Sequence, residues 1–298
     1  HTITVRVEDA AGNVASTSKE VTVGLNAGRY ILASSNAPTG EQIDWTGKTS
    51  YYYEENPNNW VQFARLWWRI IRINGDGSIR LIYNGTSTAQ TGNSTMIETY
   101  QAFNNSSDNK TYVGLVYDGT NQHGSGQTST IMTNLNNWYN SNLASYEEKY
   151  IDTGTGFCSD REMASGYNWN SDTAVNYAPY DRQNNGSLQC NSEDVLSQDN
   201  GKLPNPIGLL TSDEYVLAGS GDSYLNTETF YWTMSPAMYY NIYNIGYASV
   251  FIVNDFGNLI TSFVSGTHGI RPVINLKSAI TLSGSGTTTD PFRVVGAS

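Results

Sequence analysis

Residues 239–247 read YYNIYNIGY. Four tyrosines, Tyr239, Tyr240, Tyr243 and Tyr247, are interleaved with Asn241 and Asn244, and Gly246 works against a helix. Tyrosine offers large, stiff contact area, and asparagine both donates and accepts hydrogen bonds. Loops of that composition make adaptable binding surfaces, so the chemistry on offer is recognition rather than bond-making. Packing around an ordinary core is the alternative. It applies to the residues that follow: 248–253 is apolar on both alternating faces, as a core strand would be, NDFGN at 254–258 makes its turn, and LITSFV returns. Asp255, Asn258 and His268 are rim candidates beside the tyrosines.

Reactive constellations are missing from the pattern. A nucleophile triad needs a serine or cysteine, a histidine and an orienting carboxylate, yet no G-x-S-x-G elbow accompanies His123 or His268. There is no HExxH, Walker loop or dinucleotide fingerprint. Asp160, Glu162, Asp213 and Glu214 could supply the two carboxylates of a glycosidase, but their spacing pairs none of them. Asp213 and Glu214 are accounted for as first-turn helix residues, where negative charge is favoured. VND at 253–255 offers calcium-type oxygens only where a turn already calls for Asn and Asp, and no EF-hand loop exists. No catalytic residue, metal ligand or cofactor is therefore assigned, and the expectation is a protein that is not an enzyme.

Cys158 and Cys190 permit one disulfide and an oxidising compartment, with two separate buried thiols as the alternative. Two cysteines without histidines at matching spacing are too few for structural zinc. The 298 residues suffice for one large domain or two small ones. Charged residues are only 14%, with Gly, Asn, Ser, Thr and Tyr in their place, which suits a loop-rich extracellular domain. Aromatics at 12% argue against disorder. A formal net charge of −11 and the lack of a basic stripe exclude nucleic acid and disfavour an anionic membrane surface. The chain has no signal peptide or membrane-spanning run and starts mid-strand, as a fragment of a longer secreted protein would.

The elements that must position the tyrosines follow from the pattern. Residues 1–24 read as two strands around EDAAGN, the second being KEVTV, and GLNAG at 24–28 as a linker to a second unit that begins near Arg29. Residues 67–85 form a hairpin about Asn74-Gly75-Asp76-Gly77, and arginines between its apolar residues imply one wet face. TYVGLVY at 111–117 is a short strand candidate. Ile131, Leu135, Trp138 and Leu143 mark an amphipathic helix over 129–143. Residues 207–219 are a strand running into a helix with a Thr211/Glu214 capping box and Gly219 as terminator. A last strand is expected at 270–276. The class is α+β with antiparallel strands, two helices and long loops.

FCSDR, PIGLLTSDEYVLAG, YWTMSP and GIRPVINL occur in that order over residues 157–276. Together they resemble a surface-domain family of Gram-positive gut bacteria, and flanking residues extend the resemblance to roughly 29–295. That family looks like a C-type-lectin-like fold with small antiparallel sheets. It is similar to formylglycine-generating enzymes and to the variable proteins of diversity-generating retroelements. V-x-DAAGN in the first 23 residues is similar to the end of a bacterial Ig-like repeat, a β-sandwich stalk module. The resemblance implies a stalk remnant at 1–24 and a C-type-lectin-like ligand-binding domain at 25–298, closed by the glycine–arginine of GIR at 269–271. It implies an extracellular adhesin or receptor-binding tip on a bacterial surface, whose partner is a protein or glycan of the host or a neighbouring cell. A formylglycine-generating enzyme works through a late cysteine pair that this chain lacks, so its activity is not carried over. Retroelement mutagenesis of asparagine codons does not yield Lys, Glu, Gln, Trp or Met, and residues 239–268 contain none of them, as a variable region would. A filament subunit, a carbohydrate-active enzyme on the same scaffold and a phage tail-tip binder are the rival readings.

Overall fold

The computed structural model describes residues 2–20, 26–89 and 91–297, without the side chains of 2–6 and 17–20. The fold is α+β, with most strands gathered in two extended sheets. In the first, the strands run in the order Val273–Leu276, Ile79–Tyr83, Leu66–Ile73, Trp60–Phe63, Phe292–Val294, Leu282–Ser283, with Thr49–Tyr52 joined to Leu66–Ile73 and Gly40–Ile43 joined to Thr49–Tyr52. In the second the order is Leu259–Phe263, Ile245–Val253, Tyr231–Ile242, Thr267–Ile270, Glu98–Ala102, with Ala174–Asn176 beside Tyr231–Ile242. The sheets have eight and six strands and include two parallel pairings, so the expectation of small antiparallel sheets needs correction.

The hairpin at 67–85 forms as its turn residues dictate. Asn74 N donates to Ser78 O, Gly77 N to Asn74 O, and Gly77 sits at φ 85°. Its expected wet face does not exist. Strand Ile79–Tyr83 is buried throughout, and Arg69, Arg72 and Arg80 are buried with it. Alternation could not reveal this, because the arginines are compensated by groups far away in sequence. Arg80 Nη1 donates to Gly156 O and the Arg80 guanidinium lies over the Phe157 ring, while Arg72 and Arg80 both approach Glu214.

Helix Thr130–Asn142 begins where Ser129 Oγ accepts Met132 N and buries Ile131, Met132, Leu135 and Tyr139. Helix Ser212–Leu217 carries the expected capping box, with Thr211 Oγ1 accepting Glu214 N and Glu214 Oε2 accepting Thr211 N. Residues 207–210 ahead of it pair only through a bridge from Gly208 to Val273, not as a strand. Two helices beyond the expected pair are Ala27–Leu32 and Glu147–Tyr150. The first replaces part of the expected linker: Asn26 caps it, and a Cβ on Gly28 would stand 2.7 Å from Gly77 O, so the helix seats directly on the hairpin turn. Residues 21–25, the rest of that linker and the end of KEVTV, lie outside the described residues. The N-terminal hairpin pairs Thr2–Glu8 with Val14–Glu20, so its second strand starts earlier than expected. Within 111–117, Asn109 Oδ1 accepts Thr111 N and starts a 3-10 turn at Lys110–Val113, leaving only Val116–Tyr117 as strand. The final strand is split into Thr267–Ile270 and Val273–Leu276 around Arg271-Pro272, each half in a different sheet. No helix among the described residues is long and apolar enough to cross a membrane.

Candidate ligand-binding surface

YWTMSP and YYNI form one continuous strand, Tyr231–Ile242, which turns back at once into Ile245–Val253. The stretch expected as a loop is thus the end of a hairpin. Its two-residue turn is Tyr243-Asn244, with φ of 52° and 65°, the doubly left-handed geometry that matches strand twist. That turn ordinarily announces itself as Asn-Gly, so Tyr-Asn hides it. Ile242 and Ile245 close the ladder, followed by Asn241–Gly246, Tyr240–Tyr247 and Tyr239–Ala248.

Alternation then sorts the candidates. Tyr240 and Tyr247 share one face, stacked with ring centroids 5.2 Å apart. Phe263, from the edge strand Leu259–Phe263, completes the cluster at 6.2 Å from Tyr240 and 5.3 Å from Tyr247. Ile242 and Ile245 extend this face toward the tip and are half exposed, Tyr243 is 95% exposed, and Asn244 is exposed. The other face takes Tyr239 and Asn241 inward. Tyr239 is buried and its hydroxyl donates to Asp108 O, while Asn241 N donates to Thr173 O. With Asp108 and Lys110 they line a shallow cavity of about 320 Å³.

The rim candidates do not join the tyrosines. Asp255 and Asn258 lie in the turn at the opposite end of Ile245–Val253, on the order of 27 Å of strand from the tip. That turn is structural: Asn254 Oδ1 accepts Phe256 N and Asn258 N, and Tyr215 Oη donates to Gly257 O. His268 is on the reverse face, stacked on Phe230, edge-on to Trp232, with Nε2 at 2.8 Å from Ser262 Oγ. Burial pushes its imidazole down to about 4. With Phe230 and the exposed Tyr100 it lines a separate cavity of about 300 Å³. Phe263, Ile242 and Ile245 were missed. Period-2 alternation assigns them to the tyrosine face once the two-residue turn is recognised.

The four acidic residues considered for hydrolysis are committed to partners. Arg182 holds Asp213 in a two-pronged contact, Nε to Oδ1 at 2.8 Å and Nη2 to Oδ2 at 3.1 Å, and also donates to Asp160. Burial raises Asp160 to about 7 despite that arginine. Glu214 Oε1 lies 2.5 Å from Arg80 Nε and 3.4 Å from Arg72 Nε, within ion-pair reach but not aligned as hydrogen bonds. Beside them is a cavity with room for about one water. Glu162 and Asp194 flank His123, with Asp194 Oδ1 3.0 Å from Nδ1 and Glu162 Oε1 3.8 Å from Nε2. These three are the one His/Cys/Asp/Glu group of metal-holding size among the described residues. Their ligand atoms lie within 4.8 Å of one another, and Asp194 also accepts from Arg161 N and Nε. Asp194 is thus shared between the imidazole and Arg161, while Glu162 adds a second negative charge beside the ring. The Asp194 hydrogen bond, followed by the charges of Asp194 and Glu162, raises the His123 pKa against burial and Arg161.

Cys158 and Cys190 form a disulfide, and Phe157–Cys158 pairs with Val195–Leu196 next to it. The bridge fixes the segments that carry Asp160, Arg161, Glu162 and Asp194. Set beside family models, curated proteins and solved structures, the chain matches none of them.

Proposed function

We propose that this chain is a non-enzymatic, extracellular ligand-binding domain, an adhesin or receptor-binding tip, that holds a protein or glycan of a host or neighbouring cell against the Tyr240–Tyr247–Phe263 face. One observation carries the reading. Three aromatic rings and two isoleucines are gathered on one solvent-facing side of a hairpin whose ladder is continuous from Met238–Ser249 to the tip. A contiguous apolar patch on an ordered scaffold costs solubility and contributes little to the core, which supports a role in contact. The ladder holds the rings before a ligand arrives, so little ordering entropy is lost on binding.

The pairing of Asp160, Glu162, Asp213 and Glu214 with arginine or histidine partners supports the reading without catalysis. The stalk remnant at the N-terminal hairpin, the lectin-like family and the bacterial surface belong to the same proposal. So does retroelement variation, which in this geometry concerns the exposed positions 242–245 and the partly exposed 240 and 247, and not the buried 248–253. A gene neighbourhood without a reverse transcriptase and a template repeat removes that element alone.

The experiment is a glycan and cell-surface-protein array probed with the intact chain and with Tyr240→Ala/Tyr247→Ala/Phe263→Ala. Retention of a ligand that the triple variant loses is the expected result. A ligand held equally by both proteins overturns the assignment of this face.

A further inference from the structure

A different cavity, of about 230 Å³, lies between the loop after strand Ile79–Tyr83 and the segment that precedes strand Tyr231–Ile242. At one wall stands Arg69, 8% exposed, its guanidinium between the Trp60 ring at 4.3 Å and the Tyr224 ring at 4.7 Å. Nε donates to Asn59 Oδ1 and Nη2 to Pro57 O, while Nη1 donates to no protein atom among the described residues. Thr227, also 8% exposed, lines the same cavity with a buried hydroxyl that has no partner among the described residues. An oriented, largely desolvated cation and an orphaned hydroxyl in one wall are costly to fold, and a ligand bearing an anionic oxygen satisfies the cation while its hydroxyls satisfy the threonine.

We propose that this cavity binds a carboxylate-bearing monosaccharide residue, with the carboxylate on Arg69 and the ring hydroxyls on the asparagine and threonine side chains.

The lining selects that class. Thr88, Thr91 and Thr227 supply hydroxyls, Asn56 and Asn84 supply amides that Asp222 O and Arg271 engage at one end only, and the aromatic residues Trp60 and Tyr224 supply the apolar area, while Asn226 is held at both ends by Gly221 O and Glu228 N. A surface so rich in two-way hydrogen-bonding groups matches a ring of hydroxyls and not an aliphatic acid. The volume is below that of a pocket for a drug-sized molecule and takes one six-membered ring. A phosphate is a poorer fit. Arg69 is the one cation in the wall, and Glu228 at the exposed rim repels a dianion more than a monoanion. Burial lowers the Arg69 pKa to about 10, which leaves it charged at neutral pH. The site shares no residue with the tyrosine face, so it stands or falls separately.

Isothermal titration of the intact chain with glucuronate, N-acetylneuraminate and glucose tests the proposal. At least one acid binds roughly tenfold or more tightly than glucose, as a hydrogen-bonded charge pair requires. The acid that binds better identifies the source, a hexuronate or a terminal nonulosonate. Arg69 carries structural bonds, so the deciding variants are elsewhere. Thr227→Val keeps the shape and weakens the acid severalfold. Glu228→Gln, at an exposed side chain, strengthens it and leaves glucose unchanged. Tyr240→Ala/Tyr247→Ala leaves acid affinity intact. Equal affinity for glucose and both acids, no heat from either acid, or a Glu228→Gln that weakens binding overturns the proposal.

Discussion

Tyr240 and Tyr247 are direct partners in the hairpin ladder, and their rings stack with planes 26° apart in contact with solvent. A cross-strand aromatic pair of this kind contributes about 1 kcal/mol to the fold. Replacing both with alanine therefore lowers stability by only about 1–2 kcal/mol, read as a small drop in the urea midpoint. Ligand retention on the array falls at least tenfold in the same protein.

The tip makes a sharper demand. Tyr243 and Asn244 both adopt left-handed backbone, which costs a tyrosine about 1 kcal/mol relative to glycine-compatible choices. Tyr243→Asn with Asn244→Gly installs the preferred turn pair and raises stability by roughly 0.5–1 kcal/mol. If the tyrosine is kept for contact, the same variant binds less well while resisting urea better. A variant that gains stability and keeps full binding assigns Tyr243 no role in recognition.

Glu214 faces two buried guanidinium groups and also closes the capping box of its helix. Glu214→Gln keeps a cap acceptor and removes the charge, whereas Glu214→Ala removes both. The uncompensated arginines dominate, so both variants lose about 3–5 kcal/mol and differ by about 1 kcal/mol or less in denaturant unfolding. A glutamine variant near wild-type stability would assign the residue's contribution to the cap.

The two described histidines pull stability in opposite directions with pH. His268 is held below its ordinary value of 6.5, to about 4, so the unfolded chain takes its proton first as pH falls. Its contribution is complete above pH 6.5 and is lost on acidification toward 4. His123 is held above 6.5, so its contribution is complete below that pH and is lost as pH rises through its folded value. Urea midpoints measured across pH for His268→Gln and His123→Gln, each subtracted from wild type, show the acid-side loss missing in the first and the loss on raising pH missing in the second.

Elements defined by local chemistry were legible. The Asn74–Gly77 turn, the Thr211/Glu214 capping box, the helix after Ser129, the core strand at 248–253 and its Asn254 turn each carry their signal within a few residues. What depended on distant partners was not. Arg69, Arg72 and Arg80 read as a wet face because Asn59, Gly156 and Glu214, which face them across the fold, are invisible to alternation. Residue type singles out the tyrosines, but their composition resembles a loop and not one face of a strand, so the sequence does not reveal Phe263, which reaches the cluster only through strand pairing. Closeness in sequence groups Asp255, Asn258 and His268 with them, whereas the long strand and the pleat carry them to another end and another face.

The Tyr243-Asn244 turn has a consequence for how this surface can change over generations. The backbone at the tip is held by the pairing of Ile242 with Ile245 and of Asn241 with Gly246, not by the side chains that project from it. Substitutions at the outward Ile242 and Ile245 are therefore under light folding constraint, Tyr243 and Asn244 are limited by their left-handed backbone, and the buried run directly behind them tolerates almost none. The outward face can thus change its chemistry while the scaffold stays fixed, because surface and fold are written in adjacent but separate residues.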